Sequence, residues 1–461
     1  MPPPLVKILE DSRVTVPATA ALPPEPLVLS ALDAEWIALP LIQRLLIFVD
    51  DGESHRPIPP FASVVAALRA SLAETAARFP VMAGRIVHVP ATGDAAIDCA
   101  DDGGVRFLVA EMGHVDARRL AEDEDHDADA FRRLVPVLDA GQLPAEAMAA
   151  QVTRLRGGVA LGVAMHHAVV DGRSVWRFIQ AWAAACRGEE GDAELAAHAP
   201  PPTFDRKAIR LPGGEELARS VLRKYTPNLP KAAAMEAILV RPNLSRRTFT
   251  ISTQQIHRLK QHITACFPSA APPSSFVVVV ALAWVSFVRA KHPDVIISPD
   301  DEVILFFFAD CRARLDPPAG DGFFGTCISG CLAQATARDL LADDNDDDGG
   351  SSLARAAAAV AAEVRRAAEE PLALWDWMSL VERVDVDFDR LVIVSGSTRF
   401  PAYQAADFGW GPPARTELVT MNHDGQVVLV AGKDADGGVQ ASVSLNPAHM
   451  DAFKSCFSYV G

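Results

Sequence analysis

The sequence predicts an α/β protein of two domains, and three observations carry that prediction. The chain has 461 residues, more than a single hydrophobic core usually serves. Apolar strands alternate with helices of 3.6-residue period along most of its length. Near the middle the texture changes to an acidic, then Pro-rich stretch (188–202), followed by mixed charge without a long apolar face (206–230). That change reads as a crossover linker between two halves.

The central element is the stretch Met165-His166-His167-Ala168-Val169-Val170-Asp171-Gly172. Val159 to Ala164 is almost wholly apolar and reads as a buried strand. Beyond the stretch, Val175, Trp176, Ile179 and Trp182 recur on one helical face. Two histidines therefore sit where a buried strand runs into a turn, a place where α/β proteins put their chemistry. An imidazole is the usual side chain for moving a proton near neutral pH.

The remaining elements follow in order. Strands are expected around Leu5–Ile8, over Gln43–Val49, from Ala83, back through Ala95–Cys99 after a turn at Gly93-Asp94, and over Met148–Leu155. A short segment spans Leu32–Leu39. Phe61–Phe79 is an amphipathic helix that Pro80 ends, and Glu122–Asp129 is acidic and exposed. The second half opens with strand Arg247–Ile251 and helix Thr253–Cys266, with Thr253 as its expected cap. Ser274 and Ser275 precede the very apolar helix Phe276–Arg289. Strand Glu302–Ala309, the Ala-rich helix Ser352–Glu370, strand Leu391–Ser395, a hairpin (Val427–Ala431 and Val439–Leu445) and helix His449–Tyr459 complete the chain.

Composition narrows the function. Net charge is -16, which disfavours nucleic-acid and anionic-membrane partners. No signal peptide is read at the N-terminus, and the longest apolar run, Phe276–Val288, is too short to span a bilayer. The seven cysteines are scattered and odd in number. Cys327-x-x-x-Cys331 lacks companions at zinc spacing, so free thiols, no metal and a cytoplasmic location are expected. Residues 343–350 begin like a calcium loop, but Arg355 stands where a bidentate Glu is needed, so a solvated loop is expected. There is no dinucleotide fingerprint, no phosphate-loop lysine and no Gly-x-Ser-x-Gly elbow.

His167-x-x-x-Asp171-Gly172, followed by Asp407-Phe408-Gly409-Trp410-Gly411, resembles the plant BAHD acyl-CoA-dependent acyltransferases. Supporting stretches are Leu68–Thr75, Met82–Ile86 and Phe308–Pro318. Phe323-Phe324-Gly325-Thr326-Cys327 is similar to the Tyr-Phe-Gly-Asn-Cys signature of the clade acting on anthocyanins and other phenolic glucosides, departing at Phe323 and Thr326. Arg44 falls where that clade has a Glu-Arg pair, with Gln43 in place of Glu. The resemblance implies two similar chloramphenicol acetyltransferase-like domains, 1–205 and 231–461, with the linker 206–230 between them and an interdomain solvent channel. It implies an O-acyltransferase moving an acyl group, malonyl by the clade, from CoA to a hydroxyl of a phenolic or flavonoid glucoside. Acyl-CoA is then a co-substrate, no cofactor is permanently bound, and a monomer is expected.

Under this resemblance His167 is the general base of a direct ternary-complex transfer, with a pKa near working pH. Asp171 is structural and pairs with an arginine, Arg312 or else Arg314, while Gly172 permits the tight turn. His166 is read as structural. Trp410 is a candidate oxyanion donor through its indole N–H. Asp407 anchors the loop of Gly409 and Gly411 with an arginine as counter-ion. Ser274, Ser275, Lys260 and Arg289 are candidates for CoA phosphates, and Arg44 and Arg173 for a malonyl carboxylate. Rival readings are a hydroxycinnamoyl-CoA transferase on the same scaffold, a non-catalytic ligand-binding relative, and a thioester hydrolase.

Overall fold

The computed structural model describes residues 6–50, 52, 56–100, 103–188, 200–211, 213–225, 243–267, 271–292, 297–342, 351–379, 387–421, 423–434 and 436–458. The acidic loop 343–350, most of the stretch 188–202, linker residues 226–230, Leu5 and Tyr459 lie outside them. The chain packs as two units. One is Met1–Ile238 with Arg312–Cys327 and Ala402–Thr420, and the other is Leu239–Cys311 with Ile328–Pro401 and Met421–Gly461.

The strands, in chain order, are β1 (Lys7–Val14), β2 (Leu27–Val28), β3 (Ile42–Val49), β4 (Arg85–Val89), β5 (Asp94–Asp98), β6 (Val105–Asp116), β7 (Ala145–Glu146), β8 (Met148–Arg156), β9 (Gly158–Met165), β10 (Ser245–Ile251), β11 (Glu302–Asp310), β12 (Ile328–Thr336), β13 (Leu391–Gly396), β14 (Arg415–Leu418), β15 (Gln426–Ala431) and β16 (Val439–Leu445). The first unit holds a six-stranded sheet, β1-β6-β8-β9-β3-β14, and a four-stranded one, β2-β5-β4-β7. The second holds a six-stranded sheet, β10-β16-β15-β13-β11-β12.

In the first unit, β9 lies between β8 and β3 with antiparallel partners on both sides. Nearly every residue in it is buried, which accounts for its continuous apolar run. Leu45 and Ile47 of β3 point into one core cluster, with Met112, Leu120, Phe131 and Val419. The alternate residues Arg44, Leu46 and Phe48 lie on the opposite face. That face is associated with the helix Gly172–Cys186, through Arg44 over Trp176. In the second unit, the helix Ser275–Lys291 is buried almost all round, as its unbroken apolar run requires.

Several features differ from the sequence reading. Strands β6, β12 and β14 carry weak signals: β6 mixes in charged residues, β12 is built of small ones, and β14 is Arg-Thr-Glu-Leu. The last is buried because Arg415 Nε lies 3.0 Å from Glu417 Oε1 within the strand. The linker contains a helix, Gly214–Tyr225, whose Ala218, Val221 and Leu222 are buried at helical spacing. Its Arg219 Nε lies 2.7 Å from Asp94 Oδ1. Finally, Ser252 and not Thr253 caps the helix Thr253–Cys266, in a capping box with Gln255; Thr253 Oγ1 donates instead to the carbonyl of Asp436.

Gly162, in the middle of β9, shows how closely this sheet is covered. A Cβ there would lie 2.0 Å from the carbonyl oxygen of Leu134 and 2.7 Å from Val135 Cα, both backbone atoms. Gly162→Ala is expected to lower stability by about 1–3 kcal/mol, the usual cost of overpacking. A shift of the urea midpoint at unchanged slope would show it.

Candidate active site

β9 ends at Met165, and the chain turns at once. His166 N–H donates to Ala147 O at 2.9 Å, and Val169 N–H donates to His166 O at 2.9 Å. The His166 ring is fully buried, and its Nδ1 accepts from Ala168 N–H at 3.2 Å. That imidazole is used inside the turn.

His167 is only half-buried. Its ring stacks on Trp36, with centroids 3.6 Å apart and planes 13° from parallel. Thr326 Oγ1 donates to its carbonyl at 2.7 Å. Nδ1 is buried without a hydrogen-bond partner among the described residues. Burial pushes the His167 pKa down to about 4, against the pull of its own carbonyl and of Asp171. Burial, together with the neighbouring His167, pushes His166 to about 3. Burial therefore holds His167 well below the near-neutral value expected from the sequence, and it keeps both rings neutral at pH 7.

Asp171 is the N-cap of the helix Gly172–Cys186, accepting from Ser174 N–H at 3.0 Å. Its other oxygen accepts from Cys327 N–H at 3.1 Å and lies 2.8 Å from Arg312 Nη2. Burial works to raise its pKa, but Arg312 and the two N–H donors outweigh it and hold the carboxyl below its ordinary value. Arg312, also fully buried, donates further to the carbonyls of Phe323 (3.1 Å) and Gly325 (2.8 Å) and to Ser174 Oγ (3.2 Å). Arg314 is exposed. Gly172 opens the helix, and its φ is not among the positive values recorded for glycines, so no left-handed geometry calls for a glycine there.

A second buried pair lies beside the first. Arg206 Nε is 3.5 Å from Asp33 Oδ2, and Arg206 also donates to the carbonyls of Phe324 and Val169. Asp33 accepts from Ser30 Oγ at 2.6 Å and from Thr326 N–H at 3.2 Å. Here burial prevails over Arg206 and Ser30, and the Asp33 pKa is raised. Sequence reasoning missed Asp33, Trp36, Ser174 and Arg206. Only Asp33 has a local signal, the Ser30-x-x-Asp33 capping box.

Two candidates are corrected by position, and a third has its hydrogen bonds placed elsewhere. Trp410 packs on Phe48, centroids 5.9 Å apart, and Phe48 pairs with Val159 at the start of β9. His167 follows the far end of that strand, roughly 20 Å away at about 3.3 Å per residue. The Trp410 indole is thus out of reach of any oxyanion beside His167. Arg173 is exposed and pairs with Asp321 at 3.1 Å, so it offers no cation inside the site. Arg289 donates to Ala342 O (3.3 Å) and Ser352 Oγ (2.9 Å). It lies near the opposite end of its helix from Ser274 and Ser275, about 20 Å away at 1.5 Å per residue.

The other candidates have settled places. Ser274 Oγ accepts from Val277 N–H as N-cap, and Ser275 is half-buried in the first turn. Lys260 is half-buried on the helix Thr253–Cys266. Asp407 Oδ1 accepts from the N–H groups of Gly409 (2.8 Å) and Gly411 (3.0 Å), whose φ values of 113° and 92° suit glycine. Arg56 lies 3.3 Å from its other oxygen, and Arg187 donates to its carbonyl. Arg44 is 5% exposed and stands 5.2 Å over the Trp176 ring. Burial lowers its pKa to about 10, with Glu417 opposing. Among the described residues Arg44 makes no hydrogen bond, and its Nε is buried unpartnered.

The Transferase family model matches residues 6–460. The chain is 29% identical over 460 residues to malonyl-CoA:anthocyanidin 5-O-glucoside-6''-O-malonyltransferase of Arabidopsis thaliana, covering 98% of each chain. It is 27% identical to phenolic glucoside malonyltransferase 1 of the same organism, covering 97% of this chain and 96% of the relative. Vinorine synthase shares the fold, with a TM-score of 0.71 at 18% identity over 98% of each chain. Among the described residues no group of side chains is arranged to hold a metal ion, and no helix is long and apolar enough to cross a membrane.

Two outcomes follow for stability. Arg312→Ala leaves the Asp171 carboxylate buried without its cation and is expected to cost about 3–5 kcal/mol, read as a lower thermal midpoint and soluble yield. The two neutral histidines also set a pH dependence. Between about 6.5, the ordinary value, and the folded values near 4 and 3, the unfolded chain binds protons that the folded chain does not. Their contribution is whole above about pH 6.5 and is lost as pH falls toward 4 and then 3. Thermal midpoints from pH 8 to 4 should decline with this sign, and His166→Gln should flatten the decline.

Proposed function

This chain belongs to the Transferase family, that of the BAHD acyltransferases, and from that membership we propose that it moves malonyl from malonyl-CoA to a hydroxyl of a phenolic or flavonoid glucoside. The single observation that carries the reading is His167: a neutral, half-buried imidazole stacked on Trp36 at a strand end, whose neighbouring carboxylate is fully engaged elsewhere. Two malonyltransferases among the relatives support the donor and the acceptor class.

In this reading both substrates are bound together. Nδ1 of His167 is sealed, so Nε2 is the nitrogen left to meet the acceptor hydroxyl. It takes the hydroxyl proton as the oxygen attacks the thioester carbonyl. The new C–O bond forms, the C–S bond breaks, and the proton passes from the imidazolium to the CoA sulfur. A pKa near 4 keeps the ring wholly in its accepting form at pH 7. Asp171 is not a relay member, because its oxygens are spent on Ser174, Cys327 and Arg312. Arg44 is our candidate for the malonyl carboxylate, as a buried cation whose hydrogen bonds are unspent. Its place on β3 is two residues from Ile42, the partner of Met165. Ser275, the first-turn N–H groups after Ser274, and Lys260 are our candidates for CoA phosphate contacts.

Initial rates with malonyl-, acetyl- and hydroxycinnamoyl-CoA, against a set of phenolic glucosides, test this. Malonyl-CoA should be the best donor. His167→Ala should lose about 10²–10⁴-fold in rate while staying folded. Arg44→Gln should narrow the preference for malonyl over acetyl by about tenfold or more, the loss of one charge-assisted hydrogen bond. Faster hydroxycinnamoyl transfer would replace malonyl as donor. Thiol release without an acceptor would mean a hydrolase, and ligand binding without turnover a non-catalytic relative.

A further inference from the structure

A base that acts through one nitrogen needs something to hold its ring and to favour the charge it acquires. In histidine-dependent triads a carboxylate on the other nitrogen does both. Among the described residues no carboxylate plays that part. Both oxygens of Asp171 are committed to Ser174 N–H, Cys327 N–H and Arg312, and Nδ1 of His167 has no hydrogen-bond partner among the described residues.

We propose that Trp36 is the positioning residue of the reaction, its indole face holding the His167 ring in plane and stabilising the imidazolium that forms as the hydroxyl proton is taken. The inference rests on the reading of His167 as the base. Its ground is the face-to-face stack, 3.6 Å between centroids and 13° between planes. A parallel stack fixes ring orientation while leaving the ring edge, and so Nε2, open to a substrate. The indole face is also the negative part of its quadrupole, and a cation lying over it is attracted. The attraction is stronger for imidazolium than for imidazole, so it grows as the proton is transferred, which is the condition for accelerating a chemical step.

The surroundings hold the stack from both sides. Trp36 follows directly on the capped turn Ala31–Ala34, where Ser30 and Asp33 cap each other's backbone, and Trp36 N–H donates to Asp33 O at 3.1 Å. Asp33 in turn accepts from Thr326 N–H, and Thr326 Oγ1 donates to the carbonyl of His167. A short chain of hydrogen bonds therefore ties the backbone of the indole to the backbone of the imidazole. Asp33 and Thr326 thus tie the two backbones together without using either ring.

The test compares side chains that fill the site with and without a π face. Trp36→Phe should keep kcat within about threefold of wild type. Trp36→Leu and Trp36→Met should lower kcat by about tenfold to 10²-fold, a loss in the range caused by slight misplacement of a reacting group, with the KM of both substrates within about threefold. Equal kcat in Phe, Leu and Met variants would overturn the proposal, as would a loss carried by KM alone. A spectroscopic reading of the wild-type protein needs no folded variant at position 36. The His167 ring protons, assigned by their disappearance in His167→Ala, should resonate upfield under the indole ring current, and an unshifted position would also overturn it. Full activity in His167→Ala would instead refute the assignment of the base, leaving Trp36 as a packing residue.

Discussion

The ion pair of Asp171 with Arg312 is the constraint from which the arrangement around His167 derives. Both side chains are fully buried, so each would carry a large desolvation cost alone. The pair is tolerable because each end has several further partners. Asp171 has two backbone N–H donors besides the guanidinium, and Arg312 reaches two carbonyls and a hydroxyl besides the carboxylate. These bonds clamp the 312–327 segment onto the turn that follows β9. They also answer why an H-x-x-x-D spacing is not a relay: the carboxylate at the fourth position caps a helix and cannot also serve the ring.

The second pair, Asp33 with Arg206, meets the first at three consecutive residues. Gly325 O accepts from Arg312, Thr326 N–H donates to Asp33, and Cys327 N–H donates to Asp171. Gly325 has no room for a side chain, since a Cβ would come within 2.5 Å of Arg206 Nη1 and 2.9 Å of the Phe323 ring. Buried pairs of this kind contribute little net stability compared with apolar packing. What they supply here is registration: any slip of the segment would leave two carboxylates and two guanidinium groups unpaired in a dry site. Thr326, one of the two positions that depart from the Tyr-Phe-Gly-Asn-Cys pattern, carries the hydroxyl bonded to the His167 carbonyl.

Local patterns were readable in the sequence, and long-range ones were not. The strand before His166, the helix after Gly172, the Asp407 loop and most of the elements of both units have signals within a single window of residues. Trp36 and Arg206 have none, because each acquires its role from a partner far along the chain (Trp36 from His167, Arg206 from Asp33). Trp410 was misplaced for the same reason. A motif gives the composition of its loop, but only the register of β3 against β9 reveals which end of the strand the loop adjoins. The helix Gly214–Tyr225 was hidden by its charged face, although Ala218, Val221 and Leu222 mark the buried one.

The adjacency of two imidazoles has a consequence for the proposed transfer. His166 and His167 share one buried turn, and a positive charge on His167 is among the causes that keep His166 neutral. The reverse must hold by reciprocity, so a long-lived imidazolium at either position is disfavoured. A reaction that parked a proton on the base between two half-reactions would have to bear that cost for the lifetime of an intermediate. A reaction in which the proton leaves for the departing sulfur during the same encounter bears it only briefly. Burial of the turn thus disfavours a positive charge on either ring, and in the proposed transfer it favours passing the proton on to the departing sulfur within the same encounter.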